Sequence, residues 1–298
     1  MARYNRLNEY FKKKFGERTL KICVDGGFSC PNRDGTKGMG GCIFCSEKGS
    51  AVNLKSNLDI TNQVRSFLDY KKNRANKFIV YFQNFTNTYD SIENLKAKYD
   101  ASLIDERIVG LDIDTRPDCI NEDVCKLLAS YKDKYQVFVE LGLQTVNENT
   151  HRFINQNISN QDFINAINLL NKYEIEVIVH IMIGLPKENK EDLVKLVEFL
   201  NSINYQGLKI HSTYIVKNTM LEALYKKKLY TPLTYEEYMD SLTYVLTHIS
   251  KDVIIHRITG DPDKTELVEP KWMLEKKKVL NHIDKMMLEK DLYQGKFK

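Results

Sequence analysis

Proline is scarce in this chain, six in 298 residues, and no stretch approaches eighteen uninterrupted apolar residues. Few prolines leave little room for disordered linkers, and the missing apolar runs exclude a membrane-spanning helix. The opening residues hold no apolar run of signal-peptide length, so the expected location is the cytoplasm. No G-x4-G-K-[ST] pattern occurs, which sets aside nucleotide hydrolysis through a phosphate loop. Cysteine is also sparse, six in all, yet three of the six fall within "CPNRDGTKGMGGCIFC", Cys30 to Cys45, together with four of the fourteen glycines. In a reducing compartment clustered thiols serve as ligands or catalytic groups rather than disulfides, so this stretch points to metal.

A hydrophobic fraction of 42% against 28% charged residues is that of a folded protein with a substantial core. The net charge of +4 is unevenly spread: residues 1–21 carry seven Lys/Arg against Glu9 and Glu17, or +5. That segment also holds Tyr4, Tyr10, Phe11 and Phe15. It reads either as a solvated helix with an aromatic inner face or as a basic arm whose rings stack on bases.

Seven short β-branched runs recur: "TLKICVD" (19–25), "KFIVYF" (77–82), "RIVGLDI" (107–113), "QVFVEL" (136–141), "EVIVHIMI" (176–183), "GLKIHSTYI" (207–215) and "DVIIHRI" (252–258). Each predicts a buried strand. Helical patterns lie between them, clearest over 159–173, where Phe163, Ile164, Ile167 and Leu170 share one face behind a capping-box start at Ser159 and Asp162. This alternation predicts βαβ units and a parallel sheet closing into a full or partial barrel. Chemistry in such barrels sits at the C-terminal strand ends, and the first strand delivers Cys30 to that rim. The barrel pattern gives way near 216–234, before a helix capped by Thr234 and Glu237 and a Lys-rich end.

Cys42 and Cys45 form a C-x2-C knuckle to which Cys30 adds a third thiolate, a set open to zinc. A structural zinc site usually takes four ligands, and Cys119 and Cys125 make no second knuckle. Three thiolates also suit a [4Fe–4S] cluster whose fourth iron stays open to a cofactor. The spacing C-x11-C-x2-C, with Phe44 before the last cysteine, resembles the radical S-adenosylmethionine (SAM) superfamily. Its common pattern is C-x3-C-x2-C, and the longer first gap resembles that of relatives of the Elongator catalytic subunit. With "YFQNFTNTY", "DTRPD", "ELGLQTVNENT", "HIMIGLPKE", "KIHSTYIVKNT" and "VIIHRITGDPDKTELVEPKW", the chain is similar over nearly its whole length to the YtqA/YhcC family of radical SAM proteins.

That resemblance implies an α/β fold, a partial (β/α)6-type TIM barrel over 19–216, with a basic N-terminal extension (1–18) and a C-terminal extension (217–298) packed on the barrel. It implies that Cys30, Cys42 and Cys45 hold three irons while SAM chelates the fourth. The Gly-Gly-Glu that often receives the SAM amino group in the superfamily is absent here, leaving Gln83 and Asn84 as neutral acceptors in its place. Phe44, Glu140, Gln144, His180 and Gly184 complete the expected cofactor contacts, with Glu140 accepting ribose hydroxyls and Gly184 passing close to adenine. Each has a plainer reading: Gln83 and Asn84 as backbone caps, Gly184 as a turn, His180 and His211 as hydrogen-bonded core residues. Asp114 and Arg116 are expected to pair on the rim; Cys23, Cys119 and Cys125 are expected to be reduced thiols outside the cluster.

The resemblance further implies action on the C5 side chain of a tRNA wobble uridine, between carboxymethylaminomethyl-uridine and its aminomethyl and methylaminomethyl forms. About 80 residues follow the barrel pattern, so an Elongator-like acetyltransferase domain is not expected. The implied partners are tRNA, a low-potential electron donor such as flavodoxin or ferredoxin, and a tRNA methyltransferase acting next. A radical SAM enzyme on a tetrapyrrole-like small molecule and a zinc-stabilised RNA-binding protein are the alternatives.

Overall fold

The computed structural model describes residues 2–47, 49, 54–71 and 74–298. The chain runs α1 (Leu7–Phe15), β1 (Thr19–Val24), α2 (Ile60–Lys71), β2 (Lys77–Phe82), α3 (Ile92–Asp100), β3 (Ile108–Thr115), α4 (Glu122–Ala129), β4 (Gln136–Gln144), α5 (Glu148–Phe153) and α6 (Asn160–Lys172). It continues through β5 (Glu176–Ile183), α7 (Lys190–Ser202), β6 (Gly207–Ser212), β7 (Ile215–Val216), α8 (Met220–Lys226), α9 (Tyr235–His248), β8 (Ile254–Arg257), β9 (Leu267–Glu269) and α10 (Lys276–Glu289).

Seven strands form one parallel sheet in the order β1-β2-β3-β4-β5-β6-β8, the curled partial barrel of the radical SAM kind. The run "GLKIHSTYI" divides: β6 stays in the barrel, while β7 turns away to pair antiparallel with β9. The seventh barrel strand, β8, comes from beyond residue 216 and lies beside β6.

Alternation along each strand sorts side chains to two faces. Ile22, Val80, Leu111, Val139, Val179 and Leu208 point outward and join the main apolar core beneath the helices. The helices are started by the caps expected: Ser159 with Asp162 and Thr234 with Glu237 both form complete capping boxes.

The basic N-terminal segment lies away from the mouth. In α1, Leu7, Phe11 and Phe15 recur every four residues, and Phe11 is buried against Ile79, Phe138 and Ile178 near the N-terminal ends of β2, β4 and β5. Helix α1 therefore plugs the floor of the barrel. The residues before it cover the free edge of β8, the Ile255 amide donating to the Asn5 carbonyl at 2.7 Å. Of its charges, Lys14 is held at 2.8 Å by Glu176, and Lys21 is inside the barrel.

Candidate active site

Cys30, Cys42 and Cys45 lie on the loop leaving β1 at the barrel mouth, and all three thiols are free. Backbone turns shape the loop: the Arg33 amide donates to the Cys30 carbonyl at 2.8 Å, and the Cys45 amide to the Cys42 carbonyl at 2.9 Å. Asparagines after β4 clamp it from the side. The Asn155 amide donates to the Gly41 carbonyl at 2.8 Å, and the Asn157 amide to Asn32 Oδ1 at 2.8 Å. Asn32 Nδ2 in turn donates to the Asn155 carbonyl and lies 3.7 Å from Cys42 Sγ. A Cβ at Gly38 would sit 2.4 Å from Asn32 Oδ1, so a side chain there would push the Asn32 and Asn157 amides apart. Ile43 and Phe44 wedge between Ile154, Met182 and Leu185 on one side and Ile215, Leu221 and Tyr230 on the other.

Burial pushes the Cys42 thiol up to about 12, helped by Cys45 and Cys30 beside it, and Cys45 is raised by burial against the lowering pull of Arg33. Thiols with raised proton affinity, as at Cys42 and Cys45, are poor anions alone but good ligands once metal charge replaces the protons. Arg33 donates to the Cys45 and Ser46 carbonyls at 3.2 and 2.6 Å, and Arg116 exerts its charge on Cys30 and Cys42. The donor set therefore fits an anionic thiolate-ligated cluster.

The remaining expected residues divide between the mouth and a layer below it. Gln144 ends β4 at a register shift with φ 68°, a left-handed backbone costly for a non-glycine residue. Its side-chain amide makes no hydrogen bond with any described residue. Asn84 is buried at the end of β2 and donates to Asp25 Oδ2 at 3.0 Å; Gln83, half-buried, precedes it. Gly184, at φ 86°, gives its carbonyl to Tyr230 Oη at 2.8 Å, and a Cβ there would meet Leu233 at 2.8 Å.

Glu140 is not on the rim. It is fully buried in the barrel, where Oε1 accepts from Lys21 at 2.9 Å and Oε2 accepts from Tyr81 Oη at 2.7 Å and from Lys209. Oε2 also lies 2.7 Å from His180 Nε2, so neither oxygen is free for a ribose. The expected Asp114–Arg116 pair is also absent: Arg116 forks onto Asp118 with two bonds of 2.9 Å, while Asp114 accepts from Tyr81 Oη at 3.2 Å. A planar guanidinium is satisfied by the carboxylate it meets edge-on, here two residues away in the turn Pro117–Cys119.

Lys21, Tyr81, Asp112, Glu140, His180 and Lys209 form this inner layer. Burial, with Lys209 next, lowers His180 to about 4, and the two lysines hold Glu140 well below the usual carboxylate range despite its burial. Asp114, Glu140 and His180 bring their ligand atoms within 4.8 Å of one another, yet the ammonium groups already on Glu140 supply the positive charge a metal would bring. The layer has a signal in the sequence: Lys21, Asp112, Asp114, Glu140, His180 and Lys209 occupy alternate places in strands otherwise rich in Val, Ile and Leu. Among the other cysteines, Cys125 is buried in α4, Cys23 lies within reach of Lys209 and Lys21, and Cys119 lies beside Asp118.

Residues 33–200 match the Radical SAM superfamily, and 205–289 match the Radical_SAM C-terminal domain. The chain is 37% identical to YtqA of Bacillus subtilis over 99% of its own length and 92% of that protein. It is 28% identical to the tRNA uridine(34) acetyltransferase of Methanocaldococcus jannaschii, over 55% of this chain and 30% of that one. Its fold matches that of Methanocaldococcus infernus Elp3 with an N-terminal deletion at a TM-score of 0.70 and 21% identity, covering 93% of this chain and 64% of that one. Among the described residues no helix is long and apolar enough to cross a membrane. The superfamily match spans the Cys42–Cys45 knuckle and four of the barrel strands, the YtqA likeness spans the rest, and this chain thus belongs to the radical SAM superfamily, with a [4Fe–4S] cluster and SAM as its cofactors.

Proposed function

We propose that this enzyme modifies the C5 side chain of a tRNA wobble uridine, between carboxymethylaminomethyl-uridine and its aminomethyl and methylaminomethyl forms. The observation that carries the reading is the sequence likeness, over 169 residues, to a protein named for acting on tRNA uridine 34.

Cys30, Cys42 and Cys45 are the residues that would hold the cluster. When bound, cluster and SAM supply a 5′-deoxyadenosyl radical that takes a hydrogen atom from carbon. The chain's own part is to orient and enclose. Gln144, with a free amide on a strained backbone, orients SAM; Gln83, and Asn84 fixed by Asp25, receive its amino group. Phe44 and Gly184 border the cofactor, and His180 stands below it, neutral and anchored to Glu140. The ion-paired layer beneath closes the cavity, so the reacting groups are kept from water entering through the floor. A flavodoxin or ferredoxin delivers the electron, and a tRNA methyltransferase acts on the product.

The test compares tRNA nucleosides from cells with and without the gene. Loss of aminomethyl and methylaminomethyl-uridine with accumulation of the carboxymethylaminomethyl form is the expected result. An unchanged nucleoside profile would remove tRNA as the substrate.

A further inference from the structure

Lys21, Lys209 and Arg257 bring three fixed positive charges to the barrel interior, and two are neutralised there. Lys21 pairs with Asp112 and Glu140, and Lys209 with Glu140. The side chain of Arg257, half-buried on β8, makes no hydrogen bond or ion pair with any described residue. It owes its position to a bulge. Leu208 of β6 pairs with Ile255, but the next residue, Lys209, pairs with Arg257, so His256 is the extra residue. In a strand paired regularly through His256, Arg257 would share the outward face of Ile255, which is in the core beneath the helices. The bulge re-aims Arg257 to the side of Lys209.

Its surroundings confirm the direction. The charge of Arg257 bears on Cys23 of β1, His180 of β5, and Lys209 and His211 of β6. Tyr214 feels both Arg257 and Cys45. Next to it His211 has a buried Nε2 without a hydrogen-bond partner, its ring 5.4 Å from that of His180. Burial keeps His211 neutral, so it has a donor to offer but no charge. Asp114, two residues beyond Asp112 on β3, is held toward its neutral form by burial and by Glu140, and it is not bonded to Arg257.

An unpaired guanidinium inside a barrel is costly unless an anion meets it. Its planar fork of N–H groups matches a carboxylate with two parallel bonds. We propose that Arg257, with His211 beside it, is the anchor for a carboxylate carried on the substrate's side chain, and that this pair sets specificity for carboxylate-bearing substrates. The inference rests on the wobble-uridine reading, whose carboxymethyl group ends in such a carboxylate. The SAM carboxylate is the competing source, and the experiment separates the two.

Full-length protein with its cluster reconstituted is titrated with two anticodon stem-loop RNAs, one bearing carboxymethylaminomethyl-uridine and one bearing its methyl ester. Wild type should prefer the carboxylate by roughly ten-fold or more, the range of a charge-assisted bidentate pair. Arg257→Met should bind both alike, and Arg257→Lys should restore part of the preference, with iron content and SAM affinity within about two-fold of wild type. A preference that survives Arg257→Met overturns the proposal, as does a variant that loses SAM affinity while keeping the preference. If wild type binds neither RNA, the tRNA reading fails by itself, and phenylglyoxal labelling mapped to Arg257 decides the site. Protection of Arg257 by malonate supports a carboxylate anchor; equal labelling with and without malonate removes it.

Discussion

The two ends of this barrel are built from the same strands to opposite rules. At the floor, Ile79, Phe138 and Ile178 close around Phe11 of α1 in an apolar cluster. At the mouth, the same strands end in Asn84, Gln144 and Gly184, with left-handed backbone at Phe85, Gln144 and Lys187. Between them lies the ion-paired layer of Lys21, Glu140 and Lys209. The floor holds the sheet together so that the mouth can carry strain and unpaired polar groups, the usual division in barrels between stability and chemistry.

The sharpest way to break this division is at the cysteines. Cys30→Ala, Cys42→Ala or Cys45→Ala should each remove most cluster iron and all SAM cleavage, with thermal stability of the cluster-free protein little changed. Cys23→Ala, Cys119→Ala and Cys125→Ala should retain the iron. Iron analysis and 5′-deoxyadenosine release read both sets, and a stable cluster in the triple variant of the first set would refute the ligand assignment.

At the floor the effect should reverse. Phe11→Ala empties a fully packed site and should cost about 3–5 kcal/mol in urea unfolding, while the folded variant still takes up a full cluster. Iron loss in step with stability would mean the ends are not independent.

A smaller effect separates two glutamates. Glu176 at the floor meets Lys14, whereas Glu188 at the mouth meets the hydroxyls of Thr145 and Thr150 and no cation among the described residues. Burial raises Glu188 to about 7. An acid with a raised folded pKa binds its proton more tightly when folded, so the contribution of Glu188 to stability is full below about pH 4.5 and is lost as pH rises to about 7. The loss should be of order 2 kcal/mol after allowance for partial exposure, and Glu188→Gln should flatten that slope. Urea midpoints from pH 5 to 8 test this.

The smallest effect is expected at the basic start. Because α1 lies under the floor, changing Lys12, Lys13 and Lys14 together to Ala should leave tRNA affinity within about two-fold at any salt concentration, and cost under about 1 kcal/mol through the lost Lys14–Glu176 pair. A steeply weakened, salt-dependent affinity would put RNA on that end as well.

Much of the architecture was legible in the strands. Each β-branched run from "TLKICVD" to "DVIIHRI" contains a barrel strand, because buried parallel strands leave near-continuous apolar runs. The polar half of the same strands was harder to read. Glu140 looked like a rim residue because it precedes "LGLQ" at the end of β4, but β4 continues four residues further, to Gln144, and leaves Glu140 a layer lower. Arg116 looked like a partner for Asp114 two places before it; the turn at Pro117 brought Asp118 to it instead.

By itself the sequence determined the strand faces and the caps, because each depends on local spacing: period two in a strand, three residues across a capping box. Which charges meet inside the barrel was decided only by tertiary structure. Lys21 and Glu140 are 119 residues apart and Lys209 is 69 beyond, and the sheet's curl alone sets them within bonding distance. The floor was decided the same way: a basic helix with three aromatic rings fits an RNA surface or a barrel plug equally well, and the apolar ring of Ile79, Phe138 and Ile178 made the plug the better place for Phe11. So was Arg257, whose inward direction depends on one unpaired residue in the register between β6 and β8. A register shift leaves no mark in composition or period, yet it exchanges the two faces of a strand.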